Sequence, residues 1–271
     1  MMTIAQALTA FPLPRLESRL LLMHVQPDLT HARIVAYPER ELAPEEEDRF
    51  RRLAVRRVAG EPLAYLLGMR EFYGRPFTVT PDVLIPRPET EHLVEAAMSR
   101  LAHEPADVLD LGCGSGAIAV TLALEVPEWR VNAVDVSAAA LAVAQGNAER
   151  LEASVAFMQG SWFAPLARER RFHLIVSNPP YIAADDHHLG EGDVRFEPRL
   201  ALTDEGDGLA CLRTIAAEAP ARLHADGWLM VEHGYDQGEA VRALFSAQGL
   251  AEVATLPDLA GHDRVTIGRR A

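Results

Sequence analysis

Asp107-Val-Leu-Asp-Leu-Gly-Cys-Gly-Ser-Gly116 is the stretch that decides the fold. A short segment with strand character runs straight into three glycines, and a helical stretch follows from about Ala117. Glycine at 112, 114 and 116 lets the chain turn tightly and lets its backbone come close to a ligand lying over the strand end. By itself the turn fits a nucleotide-like ligand, a nicotinamide included, or a plain strand-to-helix connection.

Outward from this stretch the chain alternates. Extended apolar segments at 107–111, 130–135, 154–158, 172–177, 227–232, 250–255 and 264–268 are mostly separated by helical stretches. Seven such segments predict an α/β fold with a doubly wound, largely parallel sheet. The last two lie too close together for a crossover helix, so the final strand is expected to run antiparallel.

Asp135 ends the second of these strands, 19 residues after Gly116, where a carboxylate can accept hydrogen bonds from two ribose hydroxyls. Ser137 is available to cap the next helix, which leaves Asp135 for a ligand. The glycine spacing is GxGxG rather than GxGxxG, the pattern that sets a pyrophosphate on a helix N-terminus. A cofactor without phosphate fits better.

The fourth strand, HLIVS, delivers Asn178-Pro179-Pro180-Tyr181 to the carboxyl edge of the sheet, where open α/β sheets bind ligands. The paired prolines stiffen the chain and leave the Pro179 carbonyl without a local donor. That carbonyl and the Asn178 side-chain oxygen can accept both hydrogens of an NH₂ group, while Tyr181 offers a flat face to a conjugated group. Such a site suits methylation of an amide or base amino nitrogen, whose lone pair is delocalised and must be aimed at the electrophile. The nitrogen becomes far more acidic once methylated, so no strong general base is needed, in keeping with the lack of a nearby His or Lys.

Residues 1–70 have helical spacing. Leu16, Leu20 and Met23 suggest the apolar stripe of one helix, and Pro44-EEEDRFRRLAVRRVA starts another with acids first and arginines later. Arg49, Arg52 and Arg56 share a face of the second helix, read as a solvated surface. Residues 71–87 are rich in proline and β-formers and are expected to form a hairpin linker. A helix is expected from Pro88 to about His103. These readings set domains at 1–70, 71–87 and 88–271.

All 26 basic residues among the 271 are arginine. The absence of lysine excludes a Walker-type phosphate loop, the usual kinase pattern and a pyridoxal Schiff base. Residues 71–271 hold 16 arginines against 30 acids, a poor surface for duplex nucleic acid, so a protein acceptor is expected. Cys113 and Cys211 have neither zinc nor disulfide spacing. Adjacent His187 and His188 lack a second ligand cluster, so no metal is expected. With no apolar run long enough to span a bilayer, a cytoplasmic location is expected. A monomer is expected as well.

The chain resembles the bacterial release factor glutamine methyltransferases, a family of the class I methyltransferase superfamily. The likeness rests on LIPRPETE at 84–91, DLGCGSGAIA at 110–119, NPPY at 178–181, GDVRFEP at 192–198 and EHGYDQGEAV at 232–241. It implies a Rossmann-like methyltransferase domain behind a small N-terminal helical, substrate-docking domain. The activity implied is transfer of a methyl from S-adenosyl-L-methionine, leaving S-adenosyl-L-homocysteine, to the glutamine N5 of a Gly-Gly-Gln loop in peptide chain release factors. Gly112, Cys113, Gly114, Ser115, Gly116, Asp135, Trp162 and Asn178 would bind the donor, with Trp162 beside the adenine. Asn178, Pro179 and Tyr181 would be catalytic, and Leu84, Pro180, Arg195 and Glu197 would complete the acceptor site. Ser161 stands where relatives often carry an acid, so no carboxylate contact to the adenine amino group is expected there. The 25-residue connection from Ile182 to Gly206 is expected to clamp the acceptor protein. Alternatives are glutamine methylation of a ribosomal protein, DNA amino-methylation, and a non-enzymatic binding module on the same fold.

Overall fold

In the computed structural model, which describes residues 1–101 and 104–271, the chain divides into two units. The first comprises Met1–Met69 with the distant segment Glu191–Phe196. It contains α1 (Ile4–Ala7), α2 (Arg15–Val25), α3 (His31–Ala36), α4 (Pro44–Val58) and α5 (Leu63–Leu67). Pro44 opens α4 at its first turn, Glu45 to Glu47 follow, and Arg56 and Arg57 close it, each charge complementing the nearer pole of the helix. On α2 the buried face is Ser18, Leu21, Leu22 and Val25, whereas Leu16 is exposed and Leu20 and Met23 are only half-buried. The stripe expected from Leu16, Leu20 and Met23 is therefore one face away from the real one. The run Leu20–Met23 is apolar on more than one face, and packing beside Phe50 and Ala54 of α4 selects the face at 18, 21, 22 and 25.

Residues 191–196 join this unit through polar contacts that spacing and composition cannot reveal. Arg57 bonds both Glu17 at 2.7 Å and Asp193 at 3.1 Å. Arg195 donates to the carbonyl of Ala59 at 2.8 Å and lies over the ring of Phe196.

The second unit, Arg70–Gly190 with Glu197–Ala271, carries the sheet. The expected linker contains the hairpin β1 (Met69–Phe72) and β2 (Arg75–Thr78), yet Phe72 and Phe77 are fully buried in the main core. Phe72 and Phe77 meet edge to face, their centroids 6.0 Å apart. A single 3₁₀ turn at Pro88–Thr90 leads into α6 (Glu91–Arg100); the helix end expected near His103 lies outside the described residues.

Then follow β3 (Asp107–Leu111), α7 (Ala117–Glu125), β4 (Arg130–Asp135), α8 (Ala138–Arg150), β5 (Val155–Gln159), β6 (Phe172–Ser177), α9 (Ala210–Glu218), β7 (Leu223–Glu232), α10 (Gly238–Ala247), β8 (Leu250–Pro257) and β9 (Asp263–Arg270). The sheet order is β5-β4-β3-β6-β7-β9-β8, parallel except for β9, which is antiparallel to both neighbours. This is the mostly parallel seven-stranded sheet with an antiparallel last strand that the alternation predicts.

Period-two alternation turns Val108 toward one face, packed with α6, α7 and α8, and Leu109 and Leu111 toward the other, packed with α9 and α10. Strand order reverses between β3 and β6, so the carboxyl ends of these two neighbours flank the crevice where such sheets bind ligands. The glycine turn leaves β3 there, and Asn178 leaves β6 beside it.

Candidate active site

The wall built from β3 and β4 is held by backbone groups. Gly112, Gly114 and Gly116 adopt φ of +70°, +53° and +80°, a region that other residues enter only with strain. The amides of Gly112 and Cys113 both donate to the Val134 carbonyl at the end of β4. Asp135 in turn accepts from the amides of Gly114 at 2.8 Å and Ser137 at 2.9 Å. Each of its oxygens keeps a lone pair for a hydroxyl from the cavity. Ser137 caps α8 through the Ala140 amide, as its position suggests.

Gly116 has no side chain with which to cap α7. Asp110, fully buried on β3, does that work instead by accepting from the Ala119 amide at 3.2 Å. Burial pushes the Asp110 carboxyl up to about 7, and the charge of Asp135 adds to the rise against the Ala119 hydrogen bond. From the other side, Asn147 accepts from the Thr78 amide and donates to the carbonyls of Thr78 and Ser115, fastening the hairpin and the glycine turn to α8. Trp162, at φ +48°, sets its indole near Gly112.

Side chains hold the wall built from β6 and β7. Ser177 donates to the Leu111 carbonyl at 2.7 Å, joining the ends of β6 and β3. Asn178 donates from Nδ2 to the Thr90 hydroxyl at 3.2 Å. Tyr181 donates its hydroxyl to Oε1 of Glu232 at 3.3 Å. Glu232 ends β7 and is 1% exposed; burial pushes its carboxyl up to about 7, opposed by the nearby Thr90 hydroxyl, the charge of Arg264 and the hydrogen bond from Tyr181. Burial first, and Glu232 second, hold the Tyr181 phenol well above its ordinary pKa, so it stays a donor. Gln237 donates to the Tyr181 carbonyl at 2.9 Å. Gly208 passes so close that a Cβ there would lie 2.4 Å from the same oxygen.

The 182–206 connection is ordered where it leaves and rejoins this unit. Ile182 bridges Thr203, and Ala184 donates to the Gly206 carbonyl. The Glu197 carboxylate, with no exposed surface, pairs with Arg87 and accepts from the Ile85 amide at 3.1 Å. Asp186, His187 and His188 gather on an exposed turn where Asp186 accepts from the His188 amide and faces its ring at 2.7 Å.

The two walls enclose a cavity of about 620 Å³. Of the residues assigned to the site from the sequence, Gly112, Cys113, Gly114, Ser115, Asp135, Trp162, Asn178, Pro180 and Leu84 line it. Gly116, Pro179, Tyr181 and Glu197 are not among its lining residues; Gly116 packs against Ala144, and Glu197 is spent on Arg87. Arg195 belongs to the first unit. Thr90 and Glu232 lie within the LIPRPETE and EHGYDQGEAV motifs but receive no role from the sequence, although one signal was present: a carboxylate ending the apolar run WLMV places a charge at the ligand edge of the sheet. Among the described lining residues, Arg87 is the single basic side chain against Asp82, Asp135, Asp204 and Glu205. Such a wall suits a cationic ligand and disfavours a pyrophosphate.

Two family models match the chain: the PrmC N-terminal domain over residues 2–68 and the Methyltransferase small domain over residues 90–192. A release factor glutamine methyltransferase of Neisseria gonorrhoeae is 53% identical over 269 residues, covering 99% of this chain and 98% of that protein. One from Bordetella pertussis is 55% identical over 269 residues, covering 98% and 99%. A methyltransferase crystal structure from Pyrococcus furiosus shares the fold, with a TM-score of 0.56 at 18% identity, covering 80% of this chain and 97% of that one. Among the described residues no helix is long and apolar enough to cross a membrane. With relatives alike over almost their whole length, the chain belongs to the release factor glutamine methyltransferase family.

Proposed function

We propose that this protein transfers the methyl group of S-adenosyl-L-methionine to the side-chain amide nitrogen of a glutamine in the Gly-Gly-Gln loop of a peptide chain release factor. The observation that carries the chemistry is the orientation of Asn178. Its Nδ2 is engaged by Thr90, which leaves Oδ1 as the free end of the amide. That oxygen and the Pro179 carbonyl would accept the two hydrogens of the substrate NH₂ and turn its lone pair toward the donor.

The donor fits the β3 and β4 wall. Asp135 would take the ribose hydroxyls, Trp162 would flank the adenine, and the anionic lining would favour a positively charged group. When bound, the donor supplies an electrophilic methyl on a sulfonium centre. The chain's own task is to align the amide with that methyl, keep water out and hold the developing positive charge on nitrogen beside fixed oxygen acceptors. The proton is lost once the nitrogen is alkylated and strongly acidic, so Tyr181, held protonated by burial, is not needed as a base.

The test is incubation of the purified protein with labelled donor and full-length release factor, followed by mass-spectrometric location of the methyl. Label on the glutamine of the Gly-Gly-Gln loop, abolished when that glutamine is replaced, is the expected result. Label on duplex DNA or on a ribosomal protein instead would overturn the acceptor assignment.

A further inference from the structure

The segment from Asn178 to Tyr181 can aim a substrate amide only if its own path is fixed at both ends. Pro179 and Pro180 lock their φ angles at about −65°, which leaves few free torsions between those ends. The first end is held by the sheet: Ser177 pairs with Leu111 of β3 and Val231 of β7, and its hydroxyl donates to the Leu111 carbonyl at 2.7 Å. The second end, at Tyr181, lies beyond the strand, and its carbonyl needs another partner.

Gln237 supplies it. Its backbone amide closes a turn on the Gly234 carbonyl at 2.9 Å, just ahead of α10. Its side chain accepts from the Gly234 amide through Oε1 at 2.9 Å and donates from Nε2 to the Tyr181 carbonyl at 2.9 Å and the Gly208 carbonyl at 3.4 Å. All three partners are backbone groups, whose N–H can only donate and whose C=O can only accept, so the direction of this amide is unambiguous. Gly208, at φ +76°, keeps the meeting point open: a Cβ there would lie 2.4 Å from the Tyr181 carbonyl and 3.1 Å from Nε2. The two carbonyls that Nε2 joins stand at the two feet of the 182–206 connection. Asp204 holds the second foot, accepting from the Gly206 and Gly208 amides on Oδ1 and from the Ala210 amide on Oδ2.

We propose that Gln237 is a positioning residue for the methyl transfer, which fixes the far end of the Asn178–Tyr181 segment through the Tyr181 carbonyl and ties that end to Gly208 at the foot of the connection. This rests on the acceptor reading given above. Gln237 is not among the lining residues of the cavity. Its effect passes along the stiff backbone of residues 179–181 to the two acceptors, the Pro179 carbonyl and the Asn178 side chain. The EHGYDQGEAV stretch thereby takes part in the chemistry without touching a reacting atom.

Two variants separate the bonds that Gln237 makes. Gln237→Met keeps the length of the side chain and removes all three, whereas Gln237→Glu keeps an acceptor for the Gly234 amide and, ionised at pH 8.5, sets a carboxylate oxygen against the two carbonyls. At that pH each variant should lower kcat with full-length release factor by about 10-fold, the scale of one lost hydrogen bond, and the Glu variant should be no better than the Met variant. The acceptor KM should change by less than about threefold, and donor affinity by calorimetry by less than about twofold. Near-normal turnover in Gln237→Glu would show that only the Gly234 turn matters and would overturn the proposal. So would a raised acceptor KM at constant kcat, which belongs to docking, or a loss of donor affinity as large as the loss of kcat, which belongs to general loosening. A second readout needs no acceptor and reads the bond itself. In protein carrying ¹³C at its tyrosine carbonyls, the Tyr181 signal, identified by its loss in Tyr181→Phe, should move in both Gln237 variants; an unmoved signal would overturn the proposal. Unlabelled release factor with wild-type protein, while the Tyr181 signal still moves, would count against the acceptor reading and leave the hold of Gln237 on Tyr181 standing.

Discussion

The two walls of the cavity do comparable work by different means. On the β3 and β4 side, backbone amides set the geometry: Gly114 and Ser137 hold Asp135, and Asp110 receives the Ala119 amide beneath the glycine turn. On the β6 and β7 side, side chains from three distant segments do so, with Glu232 receiving Tyr181 and Thr90 receiving Asn178. Each wall rests on one buried carboxylate whose pKa burial raises to about 7. A wall of backbone groups depends on φ and on chain path, so few side chains can undo it. A wall of side chains is tuned by single atoms and fails one residue at a time. The donor wall should accordingly tolerate more substitution of side chains around it than the acceptor wall.

The largest test of that division is Asn178→Ala. Turnover should fall by about 10²- to 10³-fold, the scale of a positioned transition-state hydrogen bond, while calorimetry finds donor affinity little changed. A comparable loss of donor affinity would merge the two walls into one functional unit. Asp135→Ala probes the other side and should weaken donor binding by about 10- to 100-fold, as for lost hydrogen bonds to a charged group. Kinetics at saturating donor should restore most of its turnover; turnover that stays low would show that Asp135 also governs the acceptor.

Gly208→Ala sharpens the comparison through the backbone of the acceptor side. Gly208 has φ +76°, and a Cβ would meet the Tyr181 carbonyl at 2.4 Å. Urea unfolding should register a loss of about 1–3 kcal/mol, and the acceptor KM should rise at constant donor affinity. Unchanged stability would mean that the 182–206 connection gives way without moving Tyr181.

Asp110→Asn separates charge from capping beneath the glycine turn. Because the folded pKa of about 7 exceeds the ordinary carboxylate value, the native state keeps a proton that the unfolded chain releases. The contribution of Asp110 to stability is complete below about pH 4 and is lost as the pH rises toward 7. The variant should therefore gain on the wild type across that window, measured by unfolding at a series of pH values, and hold a constant difference above it. A pH-independent difference would show that Asp110 stays ionised in the fold.

The sheet and the glycine turn were legible because each depends on residues near one another in the chain. Strand periodicity marks all seven strands, and GxGxG with Asp135 marks one wall of the cavity. Local reading fails where several faces compete, as on α2, whose apolar run left the buried face to be chosen by Phe50 and Ala54. It fails again for residues 71–87, where the composition of a linker conceals Phe72 and Phe77 in the main core.

By itself the sequence determined the α/β class and the antiparallel last strand, and it pointed to the carboxyl edge and to segment 178–181, of which Asn178 and Pro180 line the cavity. Those follow from short-range rules: the periods of side-chain direction, the conformations open to glycine, and the stiffness of proline. Only the tertiary structure decided that Glu197 is spent on Arg87, that Arg195 and Asp193 belong with the N-terminal helices, and that Thr90 and Glu232 stand behind Asn178 and Tyr181. The physical reason is that buried polar groups must find partners wherever the fold brings them together, and sequence distance places no limit on which partner that is.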